Sequence, residues 1–146
     1  MSENLVIEKL SKKYVKDVFE IERNLLGTGS IDDIEKSILS DTLSYFVLLG
    51  GEQVLGFLEL SVVAPEMELF DIAITTQHQG KGYAKVLMKF MIDYAKQNDC
   101  DTIFLEVNKI NVKAIGLYEK FGFEKYAERK NYYGDNDAVL MKLEDF

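Results

Sequence analysis

Cysteine, histidine and proline occur once each in this 146-residue sequence, and tryptophan does not occur. A lone thiol, Cys100, excludes an intrachain disulfide. With a lone imidazole, His78, it also excludes a Cys/His zinc cluster and any serine or cysteine triad that does not use His78; no metal is expected. No apolar run approaches the roughly eighteen residues of a membrane span. Internal repeats, low-complexity tracts and Pro- or Ser-rich linkers are missing as well. Met1 to Leu10 carries Glu3 and Glu8 and lacks a basic segment followed by an apolar one, so neither a secretory nor a transit signal is expected and the expected compartment is cytoplasmic. Positive charge is in deficit: 17 Lys and Arg against 25 Asp and Glu give a net charge of -8. Such a field repels phosphate backbones, so no nucleic acid and no membrane is expected as a partner. Acidity serves solubility first, and it also leaves room for a basic substrate.

What is present suffices for one core. Apolar residues make up 47% of the chain and charged ones 29%, which fits a single domain over residues 1–146. Leu5 and Ile7 alternate with polar neighbours like a short strand. Ser11 can cap a helix whose Val15, Val18, Ile21 and Leu25 recur at helical spacing until Gly27-Thr28-Gly29. Ser30 with Asp33 opens a second short helix through Ile34, Ile38 and Leu39. Tyr45 to Leu49 and Val54 to Val63 read as antiparallel strands around Gly50-Gly51-Glu52, and a turn at Ala64-Pro65-Glu66 leads to a third strand, Leu69 to Thr75. The most periodic helix follows, with Tyr83, Val86, Leu87, Phe90, Met91 and Tyr94 on one face. Thr102 to Val107 is apolar enough for a strand covered on both faces. Asn111 caps a helix closed by Gly122, with Ile110 and Ile115 at staple positions and Phe123 as the C-terminal clasp. Strands from Phe123 to Tyr133 and Ala138 to Leu143 flank the turn Gly134 to Asp137. The pattern is α/β, with antiparallel hairpins at both ends and a strand-helix-strand-helix unit between them.

Three segments can carry chemistry. Gln79-Gly80-Lys81-Gly82-Tyr83-Ala84 lies between a strand and the start of the periodic helix, where glycine turns expose N-H groups and the helix dipole favours an anion such as pyrophosphate. Turning alone would also explain these glycines. Neither a Walker lysine-hydroxyl pair nor a complete G-x-G-x-x-G is present. Lys81, Lys85 and Lys89 form a basic stripe that suits a further phosphate or merely a solvated face. In Leu105-Glu106-Val107-Asn108, Glu106 shares a face with Phe104 near the end of an apolar strand. It is either a desolvated base or a strand-end acid paired with Lys109 or Lys113. In the helix after Asn111, Tyr118 stands two turns on, where a core role is as compatible with the spacing as a chemical one.

Gln79-x-x-Gly82-x-Ala84 resembles the acetyl-CoA pyrophosphate motif of the GNAT N-acetyltransferase superfamily. Leu105-Glu106-Val107 and Asn111 to Phe123 resemble its next two blocks in the same order and spacing. The likeness covers about Ile72 to Leu143. Within it, Arg129-Lys130-Asn131-Tyr132-Tyr133 and Asp137 to Met141 resemble the bacterial RimI type, the ribosomal-protein-alanine N-acetyltransferases. The loop Leu25 to Ile31 departs from that type, reading Leu-Leu-Gly-Thr-Gly-Ser-Ile in place of an aromatic-proline segment.

The resemblance implies a GNAT fold: one mixed, mostly antiparallel sheet of about seven strands with about four helices on both faces. It implies acetyl-CoA as the cofactor, with CoA as product, and direct transfer to a protein or peptide N-terminal α-amine, such as that of a ribosomal protein, in a ternary complex. Glu106 is then the base and Tyr118 the acid. Ile72, Ala73, Ile74, Gln79, Gly80, Lys81, Gly82, Tyr83, Ala84, Asn111 and Tyr118 bind the cofactor, and Tyr132, Tyr133 and Leu26 bind the acceptor, with only one of the two adjacent tyrosines facing inward. The chain is expected as a monomer or homodimer. The alternatives are a GNAT enzyme for a small amine, polyamine or lysine, and a non-catalytic acyl-CoA-binding module. Cys100, in a loop, is assigned no role.

Overall fold

The computed structural model describes residues 4–146; residues 1–3, the start of the segment read for a leader, lie outside the described residues. The elements run β1 (Leu5–Lys9), α1 (Val15–Leu26), α2 (Ile31–Ser37), β2 (Leu43–Gly50), β3 (Gln53–Val63), β4 (Glu66–Ile74), α3 (Tyr83–Gln97), β5 (Thr102–Asn108), α4 (Val112–Lys120), β6 (Glu124–Tyr133) and β7 (Asn136–Glu144). Seven strands form one sheet in the order β1-β2-β3-β4-β5-β7-β6. β4 and β5 are parallel, while β1–β2, β2–β3, β5–β7 and β6–β7 are antiparallel. This is the mixed, mostly antiparallel sheet with four helices that the sequence predicts. No described helix is long and apolar enough to cross a membrane. The fold divides into two compact units, one of Met1–Ser61 with Asp71–Lys89 and one of Val62–Phe70 with Phe90–Phe146.

In the first unit, β2 lies against β1 with Ile7 opposite Leu48, and against β3 with Val47 opposite Phe57. Val15, Val18 and Ile21 of α1 and Ile34 of α2 bury one apolar face with Tyr45, Val47, Leu49, Phe57 and Ala73. Ser11 does not cap α1 through its side chain. The Tyr14 amide instead bonds the Ser11 carbonyl at 3.0 Å, closing a 3-10 turn over Lys12–Tyr14 before α1 begins. α1 stops at Gly27, which takes φ +69. Ser30 does cap α2, accepting from the Asp33 amide at 3.3 Å. α2 ends at Ser37, short of the expected Leu39, because the Ile38 and Leu39 amides turn back three residues to Glu35 and Lys36; Leu39 is exposed.

In the second unit, β5 alternates between buried Ile103, Leu105 and Val107 and half-buried Phe104, Glu106 and Asn108. Where a strand covered on both faces was expected, one face is buried and the other only half-covered. The Asn111 side chain accepts from the Ala114 amide at 3.2 Å and so caps α4. Ile110 is 67% exposed, so the expected apolar staple to Ile115 is not a buried contact. β6 and β7 are joined by a two-residue turn, Gly134-Asp135, tighter than the four residues expected. The register shifts between Arg129 and Tyr133, where Asn131 takes φ +53. Simple alternation fails there: the Tyr132 and Tyr133 rings meet at 5.0 Å instead of lying on opposite faces, and both are exposed.

Along α3 the buried stripe is Leu87, Met88, Met91 and Ala95. Tyr83, Val86, Phe90 and Tyr94, expected on the inner face, are half-buried. Cys100 is a buried free thiol that burial, then Asp101 and Asp99, push upward in pKa. That environment disfavours a reactive thiolate.

Candidate active site

In the first unit, Gly56 sits so close to β4 that a Cβ there would collide with the Ala73 carbonyl oxygen, and glycine is what allows this approach. Ile72 is half-buried, and Ala73 and Ile74 are buried at the end of β4. The Gln79 side chain turns back and donates to the Ile74 carbonyl at 3.0 Å, and Thr75 Oγ1 lies 2.7 Å from His78 Nδ1. These two contacts pin the segment that leads into α3. Gly80 and Gly82 take φ +81 and +83, and a Cβ on either would meet no protein atom within 4 Å. The loop thus presents open space and backbone amides at a helix N-terminus, with Lys81 and Lys85 exposed beside it and Tyr83 and Ala84 half-buried behind it. This shape and polarity fit the pyrophosphate of acetyl-CoA. Leu26 closes α1 in the same unit and is 38% exposed.

In the second unit, Glu106 pairs with Leu140 of β7 in the ladder and keeps a side chain 23% exposed. Its Oε1 lies 3.4 Å from Arg129 Nη2. The cation beside it is therefore Arg129 and not Lys109, which pairs with Glu128 at 3.0 Å. Glu106 lines a cavity of about 280 Å³ together with Glu68, Phe104, Tyr126, Arg129 and Leu140. Burial, then the Glu106 charge, pushes the Glu68 carboxyl above its usual range, and Arg129 draws it down. The Arg129 guanidinium also lies over the Tyr132 ring at 5.5 Å, and Tyr133 meets Tyr132 edge-on at 5.0 Å. Tyr118 is buried near the end of α4, 6.0 Å from the Phe123 ring. The side-chain oxygen of Asn111 is engaged as the helix cap.

Sequence reading missed two features. Glu68 and Arg129 join Glu106 in one cavity. The signal was period-two placement of acids on neighbouring strands, which needs the β4–β5 register to be read. The second feature, in the first unit, is a row of acids. Glu22, Glu59 and Asp71 bring carboxylate oxygens within 4.8 Å of one another. The Tyr45 hydroxyl donates to Glu22 Oε1 at 2.7 Å. Burial, then Asp71, pushes Glu59 up to about 8. Burial also raises Asp71, which a hydrogen bond from Glu59 eases, and raises Glu22, which the Tyr45 hydrogen bond eases.

A model of the acetyltransferase (GNAT) family matches residues 11–123, more than half of the chain. Over 102 residues the chain is 35% identical to the ribosomal protein bS18-alanine N-acetyltransferase of Escherichia coli (strain K12), a match that covers 67% of this chain and 69% of that protein. The crystal structure of the Escherichia coli ribosomal-protein-S18-alanine N-acetyltransferase shares the fold with a TM-score of 0.88 and 27% identity, over 97% of this chain and 94% of that one. Spermidine N-acetyltransferase from Vibrio cholerae, solved with CoA and spermine, has the same fold at a TM-score of 0.85 and 24% identity, over 96% of this chain and 95% of that one.

Proposed function

Given that the chain belongs to the acetyltransferase (GNAT) family, we propose that it moves an acetyl group from acetyl-CoA directly to the N-terminal α-amine of a protein or peptide, in one N-acetyltransferase domain over residues 1–146. The observation that carries the acceptor assignment is the likeness to the Escherichia coli alanine N-acetyltransferase, sustained over 97% of this chain. A ribosomal-protein N-terminus in the cytoplasm is the acceptor this favours, with the enzyme acting as a monomer or homodimer.

Bound acetyl-CoA supplies an acetyl group activated as a thioester. Gly80, Lys81, Gly82, Tyr83 and Ala84 hold its pyrophosphate with backbone amides at the start of α3, and Gln79 keeps their loop on β4. Ile72 to Ile74 offer their strand edge to the pantetheine chain as to a peptide, and the amide near Ile74 polarises the thioester carbonyl. Asn111 adds a contact from the cap of α4. Glu106 takes the proton from the acceptor ammonium, directly or through water, and Tyr118 returns one to the leaving thiolate. Tyr132, Tyr133 and Leu26 are the acceptor-binding residues of this reading.

The size of the proton cost favours an α-amine. Deprotonating one at pH 7 costs about 1.4 kcal/mol, against about 4.6 kcal/mol for a lysine side chain, so one carboxylate is an adequate base for the former. A polyamine acceptor remains the second reading, supported by the net charge of -8. The test follows CoA release with acetyl-CoA and, in parallel, peptides with free α-amines, α-blocked lysine peptides and spermidine. Turnover fastest on free α-amines is expected. Preference for spermidine or lysine overturns the acceptor assignment, and tight CoA binding with no transfer to any amine would leave a binding module.

A further inference from the structure

Glu106 is the residue proposed to receive the acceptor's proton, yet in the structure its carboxylate already faces a cation. The contact with Arg129 is a single one, Nη2 to Oε1 at 3.4 Å, between side chains 55% and 23% exposed. A lone, half-exposed pair of this kind is weak and yields to a competing cation. The guanidinium also overlies the Tyr132 ring at 5.5 Å, a contact it keeps when the carboxylate pairs elsewhere.

The cavity around the pair has a charged and aromatic lining. Its charged lining is Glu68, Glu106 and Arg129, and its aromatic walls are Phe104 and Tyr126, whose rings meet edge-on at 6.0 Å. Besides its burial, which raises its carboxyl most, Glu68 feels both neighbours: the Glu106 charge pushes it up and Arg129 draws it down. Lys142 reaches over the Tyr126 ring at 5.5 Å but is paired with Glu144 at 3.2 Å. Two carboxylates against one guanidinium leave the cavity one negative charge in excess when both are ionised. A volume of about 280 Å³ admits the first residue of a peptide.

We propose that the acceptor's ammonium binds by taking the place of Arg129 at the carboxylate: Glu68 and Glu106 hold it between them while the guanidinium stays against Tyr132. Glu68 is then an acceptor-binding residue, and Arg129 a resident cation that keeps the pocket neutralised until an amine arrives. This inference rests on the reading of Glu106 as the base for an amine acceptor. It explains why an exposed acid on β4 stands beside the base, where a second like charge would otherwise only raise the cost of ionising both.

The test compares Glu68→Gln, Arg129→Gln and Arg129→Lys with the wild type on the best α-amine peptide. Glu68→Gln keeps the shape and removes the charge. The acceptor KM should rise roughly tenfold or more, the loss of a hydrogen bond to a charged partner, with kcat changed less than about threefold and the KM for acetyl-CoA unmoved. Arg129→Gln should lower the acceptor KM about threefold by removing the competing cation, and Arg129→Lys should restore it. A merely structural Arg129 would give the opposite sign. An unchanged acceptor KM in Glu68→Gln, or a raised one in Arg129→Gln, overturns the inference while wild-type turnover stands. A wild type that acetylates no amine overturns the underlying reading, and this is seen before any variant is compared.

Discussion

The Phe123 amide donates to the Tyr118 carbonyl at 3.1 Å, and the Gly122 amide beside it donates to Glu119 at 3.0 Å. These two bonds close α4 as a Schellman motif, with Gly122 at φ +96 and the Phe123 ring folded back against Tyr118. The last turn of the helix, which carries the proposed acid, is thereby fixed. Gly122→Ala should lower stability by about 1 kcal/mol or more, since an L side chain is strained at that φ and its Cβ would stand 3.2 Å from Leu143 Cδ1. A urea midpoint equal to that of the wild type would contradict this closure.

Glu106→Gln and Tyr118→Phe separate proton transfer from binding. Each should lower kcat by roughly 10²-fold, the usual size of a general acid-base contribution, while acetyl-CoA affinity stays near the wild-type value. Tyr118→Phe keeps the ring that packs on Phe123. Full rate in either variant on the true acceptor removes that residue from the chemistry.

Gly82 offers a test of the cradle with an internal control. Its φ is +83 and that of Gly51, in the β2–β3 turn, is +64; a Cβ on either meets no protein atom within 4 Å. Alanine at either position places a Cβ at positive φ without a clash against protein atoms. Only Gly82→Ala should weaken acetyl-CoA binding, by tenfold or more if the amides hold the pyrophosphate, and Gly82→Val should abolish it. Calorimetric titration of both alanine variants reads the difference, and equal affinities would mean that the loop only turns the chain.

The row formed by Tyr45, Glu59, Asp71 and Glu22 makes stability depend on pH. Glu59 titrates near 8 in the folded protein, above its ordinary value, so the folded state holds a proton that the unfolded chain has released. Stability therefore falls as pH rises from about 4.5 toward 8, and the full cost is present above that range. Glu59→Gln should raise the thermal midpoint at pH 9 and change it little at pH 4.5. Its gain at the higher pH should exceed about 1.4 kcal/mol, the equivalent of one pKa unit. A gain equal at both pH values would place the cost elsewhere.

Local chemistry in the sequence carried most of the fold. Ser30, Asn111, Gly27 and Gly122 mark helix ends, and each acts through bonds or angles within a few residues of itself. Errors came where backbone geometry rather than residue type decides, and where residues far apart in sequence meet. Ser11 reads as a cap, but a backbone bond to Tyr14 closes a tighter turn first. Strand alternation at Tyr132-Tyr133 fails because Asn131 twists the hairpin out of register, a conformation that its residue type permits without announcing. At the candidate site, Glu106 and Tyr118 were singled out only because motif order resembles a family. The meeting of Glu68 with Glu106 was not, because it depends on which β4 residue lies opposite which β5 residue: Glu68 stands across from Phe104. The acids at 22, 59 and 71 are scattered over α1, β3 and β4, and only the folded sheet gathers them.

The central claim is that the acetyl group goes to an α-amine through Glu106. Its most direct test is tandem mass spectrometry of a ribosomal-protein N-terminal peptide that carries both a free α-amine and an internal lysine, after incubation with acetyl-CoA and either wild-type protein or Glu106→Gln. The account predicts a single acetyl on the α-nitrogen with the wild type, and a rate lower by roughly 10²-fold with the variant. Acetyl on the lysine side chain, or undiminished α-acetylation by Glu106→Gln, would contradict it.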